Sequence, residues 1–133
     1  MSSIEFLRES GDNTEFMWSF VQLLKKTMVE KGEVLYVNGE FAEEIYFIKQ
    51  GKVNIYSENG YAYLQLKDGQ HFGEVEVIFK EPRMGKAAAV SDCLIYTMER
   101  DDLEELFDEF KDVRAAIIQK VKEKRDKLRQ LRD

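Results

Sequence analysis

The sequence predicts a mainly β domain with flanking helices. Short β-favouring runs separated by glycines fill the stretch from Thr27 to Met98. Apolar residues fall at helical spacing before that stretch, and the same spacing returns after it and holds to the end. With 133 residues, 44% of them hydrophobic and one proline, the chain has the profile of a globular domain with a single core.

The first helix is expected within 12–26, where Phe16, Phe20, Leu23 and Leu24 share one side and Asp12 to Glu15 has the form of a capping box. The β-favouring runs, spread over 27–98, are Val34 to Tyr36, Ile45 to Ile48, Val53 to Tyr56, Tyr61 to Leu66, Val75 to Phe79, Ala87 to Val90 and Cys93 to Met98. Gly32, Gly39, Gly51, Gly60 and Gly69 punctuate them, as in a compact all-β barrel or roll whose turns need positive φ. Two helices are expected over 99–132. Asp101 or Asp102 caps the first, which carries Leu103, Leu106, Phe107 and Phe110, and Lys111-Asp112 is the break before the second. Along the last helix Ile117, Val121, Leu128 and Leu131 form a stripe interrupted by Lys124. That stripe must cover its own domain, a ligand or a partner helix.

The net charge of −6 is unevenly spread. From Lys111 onward nine Lys/Arg stand against four Asp/Glu, and before it eleven stand against twenty-two. An acidic body argues against nucleic acid as a partner, and the basic tail, interleaved with acids and apolar residues, is read as a solvated helix face. Cys93 lies in the apolar run Cys93-Leu94-Ile95-Tyr96, so it is expected as a buried thiol in a reducing, cytoplasmic compartment. No apolar run approaches the ~18 residues of a membrane span, and the start lacks the order of a signal peptide. The one histidine, His71, has no serine or cysteine motif to form a nucleophilic relay and is read as structural or exposed. The acidic pairs Glu43-Glu44, Asp101-Asp102 and Glu104-Glu105 read as solvated faces, so neither an enzyme, a metal site nor a cofactor is expected.

The chemistry concentrates between Asp68 and Lys86. Gly73 lets backbone approach a ligand closely, and free N–H groups in a following helical turn suit an anion. Arg83 offers a permanently charged fork to a phosphate, and Glu74 can accept from ribose hydroxyls. Together they describe a pocket for a sugar phosphate.

Phe72-Gly73-Glu74, an apolar turn and Pro82-Arg83 resemble the phosphate-binding cassette, here 72–86, of the cyclic-nucleotide-binding domain family. Lys31 to Tyr36, Gly39-Glu40, Glu44 to Ile48 and Gly51-Lys52-Val53 resemble its other turns and core strands. The resemblance covers about Phe16 to Leu131 and implies an eight-stranded antiparallel β-roll, jelly-roll-like, with an N-terminal helix and two C-terminal helices. It further implies cyclic AMP or cyclic GMP as ligand, with Arg83 on the cyclic phosphate and Glu74 on the ribose 2′-hydroxyl. Backbone amides from Gly73 through Val75 to Glu76 would take the remaining phosphate oxygens, and Ile55, Leu64 and Leu66 would line the base pocket. The final helix would close over the base through Ile117, Ile118 or Val121.

Three positions depart from the family. Glu76 stands where a small residue is usual, Met84 follows the arginine, and Lys86 replaces a hydroxyl near Gly85. A second carboxylate beside an anion costs affinity, and Lys86 compensates only if it points inward. A working nucleotide sensor and a ligand-independent interaction module, with Arg83 paired to Glu76 or Glu74, are therefore both open. The sequence is most similar in style to the cytosolic C-terminal domain of protist-type voltage-gated or cyclic-nucleotide-regulated cation channels. That implies a cytosolic regulatory part of a channel tetramer or another homo-oligomer, reaching a membrane only through other parts of its parent. Kinase-type and bacterial-type single-domain regulators are the alternatives.

Overall fold

A computed structural model describes residues 13–132. Helix α1 spans Thr14–Leu23, with the Asn13 side chain accepting from the Phe16 N–H at 2.9 Å. Asn13 is therefore the cap, and Asp12 lies outside the described residues. The helix stops short of the expected 26 because Lys25 already pairs with Thr97 as the first rung of a ladder. The strands are β1 (Lys25–Val29), β2 (Val34–Tyr36), β3 (Glu44–Gln50), β4 (Val53–Tyr56), β5 (Ala62–Leu66), β6 (His71–Phe72), β7 (Lys86–Ala89) and β8 (Cys93–Glu99). They form two four-stranded antiparallel sheets, ordered β1-β8-β3-β6 and β2-β7-β4-β5. The remaining helices are α2 (Glu74–Phe79), α3 (Arg100–Glu109) and α4 (Lys111–Arg132).

The expected eight-stranded roll with an N-terminal helix and two C-terminal helices is thus the observed fold. Three local expectations shift. Val75 to Phe79 is β-favouring in composition but forms α2, because Gly73 at φ 89° turns the chain sharply out of β6. Helix α3 takes Glu99 as its cap instead of Asp101 or Asp102, with the last residue of β8 feeding directly into it. The break before α4 falls at Phe110, one residue earlier than expected.

Strand β3 is buried on both faces and divides the interior in two. Tyr46 and Ile48 point between the sheets, where they meet Tyr36, Val53, Phe72 and Ile95. Ile45 and Phe47 point the other way, onto Phe16, Phe20, Leu103, Phe107, Ile117 and Val121 of the helices. The helical layer is locked by aromatic packing, with Phe20 edge-on to Phe47 at 5.6 Å and Phe16 edge-on to Phe110 at 5.6 Å. This two-sided strand places helices α2 and α4 on the same layer, with the start of α4 anchored by Val113, Ile117 and Val121.

Ile117 and Val121 are consequently core residues and do not contact the candidate pocket described below. Ile117→Ala is expected to cost about 2–5 kcal/mol of stability, as truncation of a fully buried aliphatic side chain does. Urea denaturation checks it, and a change below about 1 kcal/mol would contradict the anchoring role.

Candidate ligand site

Gly73 and Arg83 organise the site. A Cβ at Gly73 would meet the Arg83 Nη1 at 3.0 Å and the Tyr46 ring at 3.2 Å, so only glycine allows the turn and the guanidinium to share this space. Arg83 is 2% exposed. Its Nη1 donates to the Gly73 carbonyl at 2.7 Å and to Glu76 Oε1 at 3.1 Å, and its Nη2 donates to the Glu44 carbonyl. Its plane rests over the Tyr36 ring at 4.3 Å.

Glu74 is 1% exposed and carries a different set of partners. Lys124 of α4 donates to both of its carboxylate oxygens, at 3.0 and 2.9 Å, and His71 Nε2 lies 2.8 Å from Oε2. Burial alone pushes the Glu74 carboxyl up, but the adjacent Lys124 and His71 outweigh it and hold the group well below the usual carboxylate range. Glu76 goes the other way. Burial raises it, and Arg83 offsets only part of that rise, while the nearby Glu74 charge adds to it and Arg132 opposes it.

Between these groups lies a cavity of about 30 Å³, lined on the roll side by Tyr36, Ile55, Tyr63, Leu64 and His71 and by Phe72 through Glu76, with Met84. Lys124, Leu128 and Arg132 of α4 close it. A larger outer groove of about 450 Å³ runs beside it past Asn38, Glu58 and Gly85, and Met84 and Arg132 line both spaces. A site for a drug-sized ligand typically measures about 300–1,000 Å³, so the inner cavity by itself is an order of magnitude too small.

The structure thus brings together Ile55, Leu64, Phe72, Gly73, Glu74, Val75, Glu76 and Met84 as expected, and corrects the other assignments. Arg83 is not among the lining residues, because Glu76 stands between it and the cavity. Leu66 is packed between the sheets. Gly85 faces the outer groove, where its φ of 102° and a would-be Cβ only 2.1 Å from the Tyr56 carbonyl fix it as glycine. Lys86 does not point inward but lies on the outer Tyr56 ring at 4.9 Å. Ile117 and Val121 are replaced as covering residues by Leu128 and Arg132, about two to four turns further along α4. Of the two expectations for His71, the structural one fits: it is buried and holds Glu74.

Lys124, which interrupts the apolar stripe of α4, is the sequence signal for this contact. A cation in the middle of an apolar stripe must find an anion, and Glu74 is the one that it faces. Arg125 and Arg129 extend the contact to Glu81, at 3.4 and 3.5 Å, and Arg125 also rests over Phe79 at 4.0 Å. Among the described residues, no group of three His, Cys, Asp or Glu is placed to hold a metal ion, and no helix is long and apolar enough to cross a membrane.

The two glutamates should give opposite pH slopes. Glu74, depressed in the folded state, contributes stability above its unfolded value near 4.3 that is lost as pH falls below it. Glu76, raised in the folded state, contributes stability below that value that is lost as pH rises through its folded one. Denaturant unfolding of wild type, Glu74→Gln and Glu76→Gln should therefore show acid sensitivity reduced in the first variant and the decline as pH rises above the ordinary glutamate range reduced in the second. Slopes of the same sign would contradict the paired geometry.

Comparison with known proteins agrees with this geometry. The model of the family described as cyclic nucleotide-binding domain matches residues 26–110. The mouse potassium/sodium hyperpolarization-activated cyclic nucleotide-gated channel 2 is 26% identical over 101 residues, covering 76% of this chain and 12% of the channel. The chicken cyclic nucleotide-gated channel cone photoreceptor subunit alpha is 27% identical over 106 residues, 73% of this chain and 14% of that protein. The cAMP-dependent protein kinase regulatory subunit of Candida albicans is 26% identical over 106 residues, 80% of this chain and 23% of that protein. The chain thus spans less than a quarter of the length of these relatives. In three dimensions it superposes on the regulatory subunit of a cAMP-independent protein kinase A from Trypanosoma brucei with a TM-score of 0.75. That likeness, at 21% identity, covers 91% of this chain and 43% of the other and supports the fold alone.

Proposed function

The chain belongs to the cyclic nucleotide-binding domain family, and from that premise we propose that it is a non-catalytic regulatory domain that senses cyclic AMP or cyclic GMP. The observation that carries this reading is the bidentate contact between Lys124 and Glu74, because it joins the carboxylate proposed for the ribose directly to the C-terminal helix. A ligand that engages Glu74 therefore acts on α4. The phosphate end of the ligand would take Arg83 by displacing the Glu76 carboxylate, and Ile55, Leu64 and Tyr63 would flank the base.

The parent we propose is a cyclic-nucleotide-regulated cation channel, with this domain at the cytosolic face of the membrane and several copies in one assembly. Two of the three relatives described above carry channel names, and the short span of this chain on them suits a regulatory module within a larger protein. A kinase-type regulator is the second parent to consider.

One observation favours the rival reading of a ligand-independent interaction module. Glu76 already satisfies the guanidinium that a phosphate would need. Calorimetric titration of the domain with cyclic AMP and cyclic GMP separates the two. Wild type should bind weakly, Glu76→Ala about 10- to 100-fold more tightly because it vacates the guanidinium, and Arg83→Ala not measurably. Absence of binding to both wild type and Glu76→Ala at millimolar nucleotide would reject the sensor and leave the module.

A further inference from the structure

We propose a second binding site, between α2, α3 and the first half of α4, that takes a small amphipathic anion: a carboxylate held by Arg100 and Arg114, with a short apolar tail packed on the helices. It shares no lining residue with the cavity beside Glu74, so it stands apart from any nucleotide reading of that cavity.

Arg100 carries the proposal. It is 8% exposed, and no carboxylate among the described residues forms an ion pair with it. Its Nη2 donates to the Glu76 carbonyl at 3.2 Å, its guanidinium lies 4.2 Å from the centre of the Phe41 ring, and its buried Nε has no hydrogen-bond partner. Arg83, equally buried, is met by two carbonyls and a carboxylate. A guanidinium does not escape burial by shedding its proton, so an anion gains most where a buried one lacks a partner.

The space beside Arg100 is suited to such an anion. It is a cavity of about 220 Å³ with an apolar floor made by Val77 of α2, Leu103 and Phe107 of α3 and Ile118 of α4. Arg114 lines it too, exposed and without an ion pair among the described residues. Lys80 and Glu104 at its rim engage one another at 3.5 Å, which leaves two guanidinium groups facing the single exposed carboxylate of Asp108. Arg100 also borders a second space, with Glu43, Glu44, Glu99 and Asp101 around it. Those acids repel an anion there and direct it to the side of α2 and α4.

Charge and floor select the ligand together. An inorganic anion leaves the apolar floor wet, and a neutral apolar molecule leaves Arg100 unpaired. A carboxylate with a hydrocarbon tail satisfies both. At ~30 Å³ for each water-sized group the cavity takes about seven of them, which suits a chain of about six to eight carbons.

Titration of the ¹⁵N-labelled domain with octanoate tests the site, read at the Arg100 Nε–H resonance and at the amides of Leu103 and Ile118. Saturable shifts at submillimolar octanoate are expected. Acetate, which lacks the tail, and octylammonium, which reverses the charge, should each bind at least about tenfold more weakly. Arg114→Gln, on the surface, should weaken octanoate about tenfold, and Arg100→Gln should abolish its binding. If Arg100→Gln does not fold, Arg114→Gln and octylammonium decide in its place. The site is overturned by absence of saturation at about 10 mM octanoate, by shifts centred on Tyr63 and Leu64 instead, or by octylammonium binding as tightly as octanoate. None of these outcomes bears on the nucleotide titration, whose failure would in turn leave this site standing.

Discussion

A guanidinium that cannot lose its charge sits in the interior of this domain, and the arrangement of the surrounding elements follows from the need to satisfy it. Arg83 draws the Glu44 carbonyl from β3, the Gly73 carbonyl from the turn ahead of α2, and the Glu76 carboxylate from α2 itself. A buried charge without such partners costs far more than a domain of this size can lose, so the sheet, the turn and the cassette helix are fixed relative to one another by a single side chain. Tyr36 and Tyr46 complete the enclosure with ring faces in place of water. Their hydroxyls are both pushed up by burial, which keeps them neutral beside the ion pair.

The second charged centre is subordinate to the first. With Glu76 turned toward Arg83, Glu74 is left as a buried carboxylate two residues away, and it is neutralised from the opposite side by Lys124 and His71. At about 3 Å and an effective dielectric near 20, one such contact gains roughly 5 kcal/mol before the desolvation of Glu74 is subtracted. The net value is smaller, since the Lys124 side chain is one-third exposed and screened by water. The two centres have opposite composition. One is a cation enclosed by fixed acceptors of the roll, and the other is an anion whose main partner arrives on the C-terminal helix α4.

Much of this was legible in the sequence because it follows from local rules. Glycine spacing set the strand turns, the periodicity of Leu103, Leu106 and Phe107 set α3, and the Phe72-Gly73-Glu74 to Pro82-Arg83 order placed the cassette. The failures are long-range. The extent of α1 was overestimated because only pairing with β8, some 70 residues away, claims Lys25 and Lys26 for a strand. Ile117 and Val121 are expected over the base only from the family resemblance, because an apolar stripe does not declare what it covers; here the first half of the stripe covers the helical core and, of its residues, only Leu128 lines the cavity. Lys86 was weighed as a phosphate contact from proximity in sequence, yet the alternation of β7 carries it to the outer face onto Tyr56. Glu76 is the informative departure, since a buried carboxylate on α2 beside the buried Arg83 guanidinium has little choice of partner.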